Sequence, residues 1–262
     1  MTHVLVTAAL GTTGSRVAAL LRDRGHAVTA VSRRATGFDW TRPETFPATL
    51  NGRAESTGIS GSGGSTAAYL VPPPGGADLA PFLDAASRAG VQRAVLLSSS
   101  PADPAPVREL LGNRFAEWAV LRPTWFMQNV VTPAHSHALS VREGGTLLTS
   151  TDGARVALID AGDIADVAAA LLTSATAPNA DLVLTGPEAL TYAEVAAIMG
   201  VPAKDVTAEE LVAYLSEFSP SADRMAALDR IIATGSQARI TDTVRTVTGR
   251  PARTFRDWWE SH

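Results

Sequence analysis

The segment that most constrains this chain is its start. A short apolar run, Val4-Leu5-Val6, passes through Thr7-Ala8-Ala9-Leu10-Gly11-Thr12-Thr13-Gly14 into a helical pattern. From Gly14 the apolar residues Val17, Ala18 and Leu21 fall on one helix face, Arg16, Arg22 and Asp23 point elsewhere, and Gly25 closes the helix. A strand that turns through glycines into a helix opens a βαβ unit, whose right-handed return supplies a parallel neighbour. Gly11 would let the backbone approach a pyrophosphate, and Gly14 would let the helix pack closely on the strand. The amides of Thr12 and Thr13 would meet the phosphate charge at the helix N-terminus. The competing reading is an ordinary glycine-rich turn. Ala8 stands where the first glycine of such a fingerprint belongs, so a positive φ there would cost about 1 kcal/mol.

The alternation continues. Ala27–Val31, Tyr69–Val71, Ala94–Leu97, Trp118–Leu121 and Leu182–Leu184 read as further strands, and Val156–Asp160 fits one too. Leu79–Ala89 and Asp163–Leu172 read as helices, and beyond Thr191 the apolar spacing is mostly helical. The expectation is an α/β fold: a Rossmann-type doubly wound parallel sheet with a smaller, mostly helical C-terminal lobe. Residues 1–150 are expected to form the NAD(P)-binding domain. Residues 151–262 are expected to form a smaller substrate-binding lobe whose strands return to the main sheet. The stretch 53–66, with Gly61-Ser62-Gly63-Gly64-Ser65, can bury little and reads as a flexible insertion.

Composition removes several chemistries. There is no cysteine, so disulfides, thiolate zinc sites and thiol nucleophiles are excluded. The net charge of −4 gives no footprint for nucleic acid or an anionic membrane. No run approaches the apolar length of a membrane span, and the N-terminus carries no targeting pattern, so a cytoplasmic protein is expected. Lys204 is the only lysine among 22 basic residues.

That scarcity bears on proton chemistry. Reductases of carbonyls commonly place a lysine four residues after a tyrosine, to ease loss of the phenolic proton. Here the tyrosines are Tyr69, Tyr192 and Tyr214, and four residues on lie Pro73, Ala196 and Phe218. An acceptor that forms no oxyanion is therefore favoured. An iminium carbon already carries positive charge and becomes a neutral amine on receiving hydride.

The second strand ends in Ser32-Arg33-Arg34, with no acidic residue before Asp39. Arginine at this place accommodates the 2′-phosphate of NADP, where an acid would bind the ribose of NAD; a solvated basic turn is the bland alternative. Ser98, Ser99 and Ser100 end a strand. Trp125, Phe126 and Met127 follow the last Rossmann strand, at the edge where open α/β sheets bind ligands; Trp125 fits an aromatic substrate wall and the core equally, and Trp118 reads as core. His135 and His137 do not share a helix face and read as surface residues, so no metal site is expected. Asp163 reads as a first-turn charge, and Trp258-Trp259 as an anchor for the tail.

Several motifs together carry a resemblance. They are Leu5-Val6-Thr7 through Gly11-Thr12-Thr13-Gly14-Ser15-Arg16, Phe38-Asp39-Trp40, Tyr69-Leu70-Val71-Pro72-Pro73 and Leu121-Arg122-Pro123-Thr124-Trp125-Phe126-Met127-Gln128-Asn129. Thr185-Gly186-Pro187-Glu188 and Thr248-Gly249-Arg250-Pro251-Ala252-Arg253-Thr254-Phe255 complete the set. The chain resembles, over nearly its whole length, the NmrA-like atypical short-chain dehydrogenases, in the branch of ergot alkaloid biosynthesis proteins. The resemblance implies an NADP(H)-dependent oxidoreductase that transfers hydride to a cyclic imine, iminium or quinone-like secondary metabolite, a small hydrophobic partner. It places Thr7, Gly11, Thr12, Thr13, Gly14, Ser32, Arg33, Arg34, Val71, Pro72, Ser98 and Pro123 along the cofactor. Tyr69, Ser100, Trp125, Phe126 and Asn129 are placed along the substrate. Two other classes compete: a non-redox cyclase or isomerase on the same fold, and an NADP-sensing regulator.

Overall fold

Val4, Leu5 and Val6 are each fully buried, as expected of a parallel strand covered on both faces. The computed structural model describes residues 2–51, 66–73 and 75–262. Apart from Thr66, the Gly/Ser-rich stretch lies outside the described residues. By internal contacts the chain divides into two units, Met1–Arg122 with Ala161–Val183, and Pro123–Asp160 with Leu184–His262. This differs from a division at residue 150. The segment 123–150 belongs with the second unit and 161–183 with the first, because β-strand and helix partners come from distant parts of the chain.

The first unit runs β1 (His3–Val6), α1 (Gly14–Asp23), β2 (Ala27–Ala30), α2 (Arg33–Thr36), α3 (Phe46–Leu50), β3 (Ala67–Leu70), α4 (Ala80–Arg88), β4 (Arg93–Leu97), α5 (Ala105–Gly112) and β5 (Glu117–Pro123). The chain then enters the second unit through α6 (Ser136–Gly144) and β6 (Leu147–Thr149). It returns to the first through α7 (Ala161–Thr173) and β7 (Ala180–Leu184). Among the described residues the main sheet has six strands in the order β2-β1-β3-β4-β5-β7, with parallel pairing from β2 through to β5. The order reverses between β1 and β3, which makes a Rossmann-type doubly wound sheet with its switch point beside β1.

One face of the sheet packs on an aromatic group. Phe38, Trp40 and Phe46 surround Phe82 in edge-on contacts, with ring centroids 4.9–5.1 Å from it. The Phe38-Asp39-Trp40 motif is thus a core element. Trp118 packs against the same cluster. Elsewhere in this unit α1 packs against α7. The buried guanidinium of Arg93 ties β4 to Glu117 of β5 and to the carbonyls of Leu171, Ser174 and Ala175 at the end of α7.

The second unit continues through α8 (Tyr192–Met199), β8 (Ala203–Asp205), α9 (Ala208–Ser216), α10 (Ala222–Ala233), α11 (Thr243–Thr248) and α12 (Phe255–Glu260). Capping boxes start α8 and α9, with Thr191 and Thr207 each exchanging hydrogen bonds with a glutamate three residues on. Strands β6 and β8 pair with each other. Val156–Asp160 does not join the sheet as a strand; it makes two isolated bridges, Ile159 with Phe126 and Val156 with Leu190. Gly186 explains part of the Thr-Gly-Pro-Glu motif, since a Cβ there would stand 1.9 Å from the Leu158 carbonyl oxygen. Glu188 accepts from the Phe255 amide at 3.1 Å, and Trp258 is fully buried, so the tail is anchored in this unit.

Candidate functional site

The turn from β1 to α1 is built by close backbone approach. A Cβ on Gly14 would stand 2.3 Å from the Ala8 carbonyl oxygen and 2.8 Å from that of Thr7, so only glycine lets the helix start here. Ala8 has φ 49°, the left-handed conformation its glycine-like place demands, and it pays the strain of a Cβ there. The Gly11 amide donates to the Ala8 carbonyl at 2.8 Å and closes the turn. The amides of Thr12 and Thr13 have no acceptor among the described residues, and Gly11 and Thr12 are exposed. Two free amides over a glycine backbone at the N-terminus of a ten-residue helix fit a pyrophosphate.

Beside this turn, β2 leads into α2, a short helix that the sequence pattern did not predict. The Ser32 hydroxyl accepts from the Ala35 amide at 3.1 Å and caps it. Both arginines are exposed, but they differ. Arg33 pairs with Asp39, Nε to Oδ2 at 3.2 Å. The amide and hydroxyl of Thr41 hold the Asp39 carboxyl below its ordinary pKa, with Arg33 adding to the effect. Arg34 has no hydrogen bond or ion pair among the described residues, so its guanidinium is available to an incoming anion.

Two of the expected site residues lie inside the sheet. Thr7 is fully buried, and its hydroxyl donates to the Tyr69 carbonyl (3.2 Å) and accepts from the Val71 amide (2.7 Å). The side chain extends the β1–β3 pairing and is not free for a cofactor. Tyr69 is also fully buried, in a strand covered on both faces, so it lines no open surface. Burial drives its hydroxyl pKa well above the ordinary value, against a smaller pull from Thr13. Val71 and Pro72 keep partial exposure at the end of β3, as do Ser98 and Ser100 beyond β4.

In the second unit Pro123 is buried at the end of β5. Trp125 is buried in a core with Met127, Val130 and Trp258, the second of the two places its sequence position allowed. Phe126 and Asn129 keep partial exposure.

Two polar groupings here escaped the sequence reading. Asp160, buried, accepts from Gln128 Nε2 at 2.6 Å and pairs with Arg253 at 3.3 Å, which joins two of the motifs. His137 is buried, not on the surface as expected, because α6 turns it inward. Its ring stacks on Tyr192 with centroids 3.7 Å apart, and its Nε2 stands 3.5 Å from Asp229 Oδ1. Asp229 Oδ2 accepts from the Ser150 amide (2.8 Å) and the Thr149 hydroxyl (3.2 Å). The hydroxyls of Tyr192 and Ser150 are buried with no hydrogen-bond partner among the described residues. Pairs 79 and 80 residues apart leave no local signal. Among the described residues no group of three histidine or acidic side chains could hold a metal ion, and no helix is long and apolar enough to cross a membrane.

Similar proteins were sought by sequence and by structure. No family model matches the chain. It is 33% identical to an uncharacterized oxidoreductase of Bacillus subtilis (strain 168), over 99% of this chain and 94% of that protein. It is 34% identical to an agroclavine dehydrogenase of Claviceps purpurea (strain 20.1), over 96% and 94% respectively. Its fold is similar to that of an NADPH-dependent quinone oxidoreductase from Escherichia coli complexed with NADPH. There the TM-score is 0.75 and the identity 18%, over 98% of this chain and 99% of that one.

Proposed function

The chain belongs to the NmrA-like atypical short-chain dehydrogenases, in the branch that holds the agroclavine dehydrogenases, and from that membership we propose that it is an NADPH-dependent reductase of a cyclic imine, iminium or quinone-like acceptor. The observation that carries the reading is the β1–α1 turn, where Gly11, Gly14 and the free amides of Thr12 and Thr13 form a cradle for a pyrophosphate. NADPH, when bound, supplies the hydride. Arg34 provides the charge for its 2′-phosphate, because Arg33 is already neutralised by Asp39.

The acceptor class follows from what the chain withholds. Tyr69, the one tyrosine of the first unit, is buried with a raised pKa and no lysine follows it, so the sheet offers no phenolic acid to an alkoxide. An iminium ion needs none, since hydride converts it directly into an amine. A quinone is a strong acceptor whose protons can come from water.

Titration with NADPH and with NADH tests the cofactor. NADPH should bind clearly more tightly, and Arg34→Ala should weaken NADPH by about tenfold while leaving NADH nearly unchanged. Arg33→Ala should do less. Failure to bind either nucleotide would sink the reading. Oxidation of NADPH in the presence of a cyclic imine or a quinone then tests the acceptor, and binding without turnover of either would favour the sensor.

A further inference from the structure

The Leu121-Arg122-Pro123 motif has so far no role for its arginine. In the β4–β5 pairing Leu97 lies beside Leu121, so Arg122 stands next to the start of the segment 98–104 that joins β4 to α5. Its Nη2 donates to the Ser100 carbonyl at 2.7 Å and to the Ala102 carbonyl at 3.0 Å. Its Nη1 donates to Asp181 Oδ2 on β7 at 2.8 Å, and Asp181 Oδ1 accepts from Arg108 of α5 at 3.0 Å. The Arg122 side chain is only 16% exposed, and its Nε is buried without a partner.

The segment also bonds within itself and to β5, with the Ala102 amide donating to the Ser99 carbonyl at 3.3 Å. The Ser98 amide donates to the Leu121 carbonyl at 2.7 Å, and Asp103 accepts from the Ala105 amide at 3.0 Å. Between them, Arg122 of β5 holds two carbonyls of the Ser99–Ala102 bend. A planar fork can reach two carbonyls and a carboxylate at once, whereas a lysine ammonium is a single point of charge. Asp181 holds the fork from the far side. Burial would raise the pKa of its carboxyl, but the bonds from Arg122 and Arg108 outweigh that and keep it ionised.

This segment leaves the carboxyl end of a central strand, where open α/β sheets recognise their ligands. We infer that Arg122 is a positioning residue that sets the Ser99–Ala102 bend for recognition of the acceptor, while the cofactor phosphates are held elsewhere, on the β1–α1 turn and α2. The inference rests on the reductase reading given above. It makes Arg122 a determinant of acceptor affinity and leaves NADPH affinity to Arg34 and the glycine turn.

The test uses the full chain and the variants Arg122→Ala, Arg122→Lys and Arg108→Ala, each checked for folding by circular dichroism. Arg122→Ala should speed hydrogen exchange of the 98–104 backbone and raise the acceptor KM by about tenfold, with the NADPH dissociation constant changed less than about threefold. Millimolar methylguanidine should restore part of the KM, and Arg122→Lys should fall between the two. Arg108→Ala, which touches Asp181 but not the bend, should leave KM unchanged. Faster exchange with an unchanged KM, or equal losses in KM and NADPH affinity, overturns the inference while the reductase reading stands. A wild-type chain that binds NADPH but reduces neither acceptor overturns that reading first, and the acceptor role of Arg122 with it. If Arg122→Ala does not fold, Arg122→Lys decides on the same readouts.

Discussion

The two units distribute buried polarity differently. In the first, Thr7 bonds the backbone of Tyr69 and Val71, Arg93 bonds the end of α7 and Glu117, and Arg122 bonds the bend after β4 and Asp181. In the second, a histidine, a tyrosine, a serine and an aspartate are gathered in the interior, and two of their hydroxyls find no partner among the described residues. The first arrangement ties strand ends to the segments that follow them. The second sets a buried carboxylate, Asp229, against a buried histidine.

The sharpest way to break the contrast is at the glycine turn. Gly14→Ala forces a Cβ against backbone that cannot withdraw, and should cost about 3 kcal/mol, a fall in Tm of about 6–12 °C. A Tm within a degree of wild type would mean that α1 does not approach β1 so closely. In the second unit, Asp229→Asn keeps the shape but removes the charge facing His137, and should cost about 2 kcal/mol by thermal or urea unfolding.

The same aspartate predicts an acid limb. Burial alone would raise the Asp229 pKa, but His137 and the bonds from Ser150 and Thr149 hold it below the ordinary 3.8. A depressed folded-state pKa contributes stability that is fully present above about pH 4 and is lost as pH falls through the folded value. Between pH 5 and 2 the wild type should therefore lose stability faster than Asp229→Asn, and parallel curves would remove Asp229 from the account. The smallest effect is expected at Ala8. Relieving its positive φ with Ala8→Gly should raise stability by up to about 1 kcal/mol, offset in part by the entropy of an added glycine. A loss of stability would show that the alanine methyl group contributes packing that outweighs its strain.

Parts of the site were legible before the fold was known. The strand–turn–helix opening, the glycines and the pair Arg33-Arg34 are contiguous, and their meaning follows from local sterics and charge. Ala8 was legible as a strained place for the same reason. What failed to be legible was the fate of single polar side chains. Tyr69 looked available until the sheet closed over it, and His137 looked like a surface residue until α6 turned it towards Asp229. Trp125 and Thr7 were claimed by packing and by strand pairing.

By itself, then, the sequence determined the class of sheet, the place of its glycine turn and the exclusion of thiol chemistry and a tyrosine–lysine pair. These rest on periodicity, glycine sterics and composition, which act within a few residues or over the chain as a whole. The tertiary structure alone decided which of two adjacent arginines is free, which tyrosine is sealed away, and that Arg122 grips a bend some 20 residues before it. Such choices depend on which distant groups meet in the interior, where an unpaired polar atom is costly and each must find a partner that local sequence does not specify.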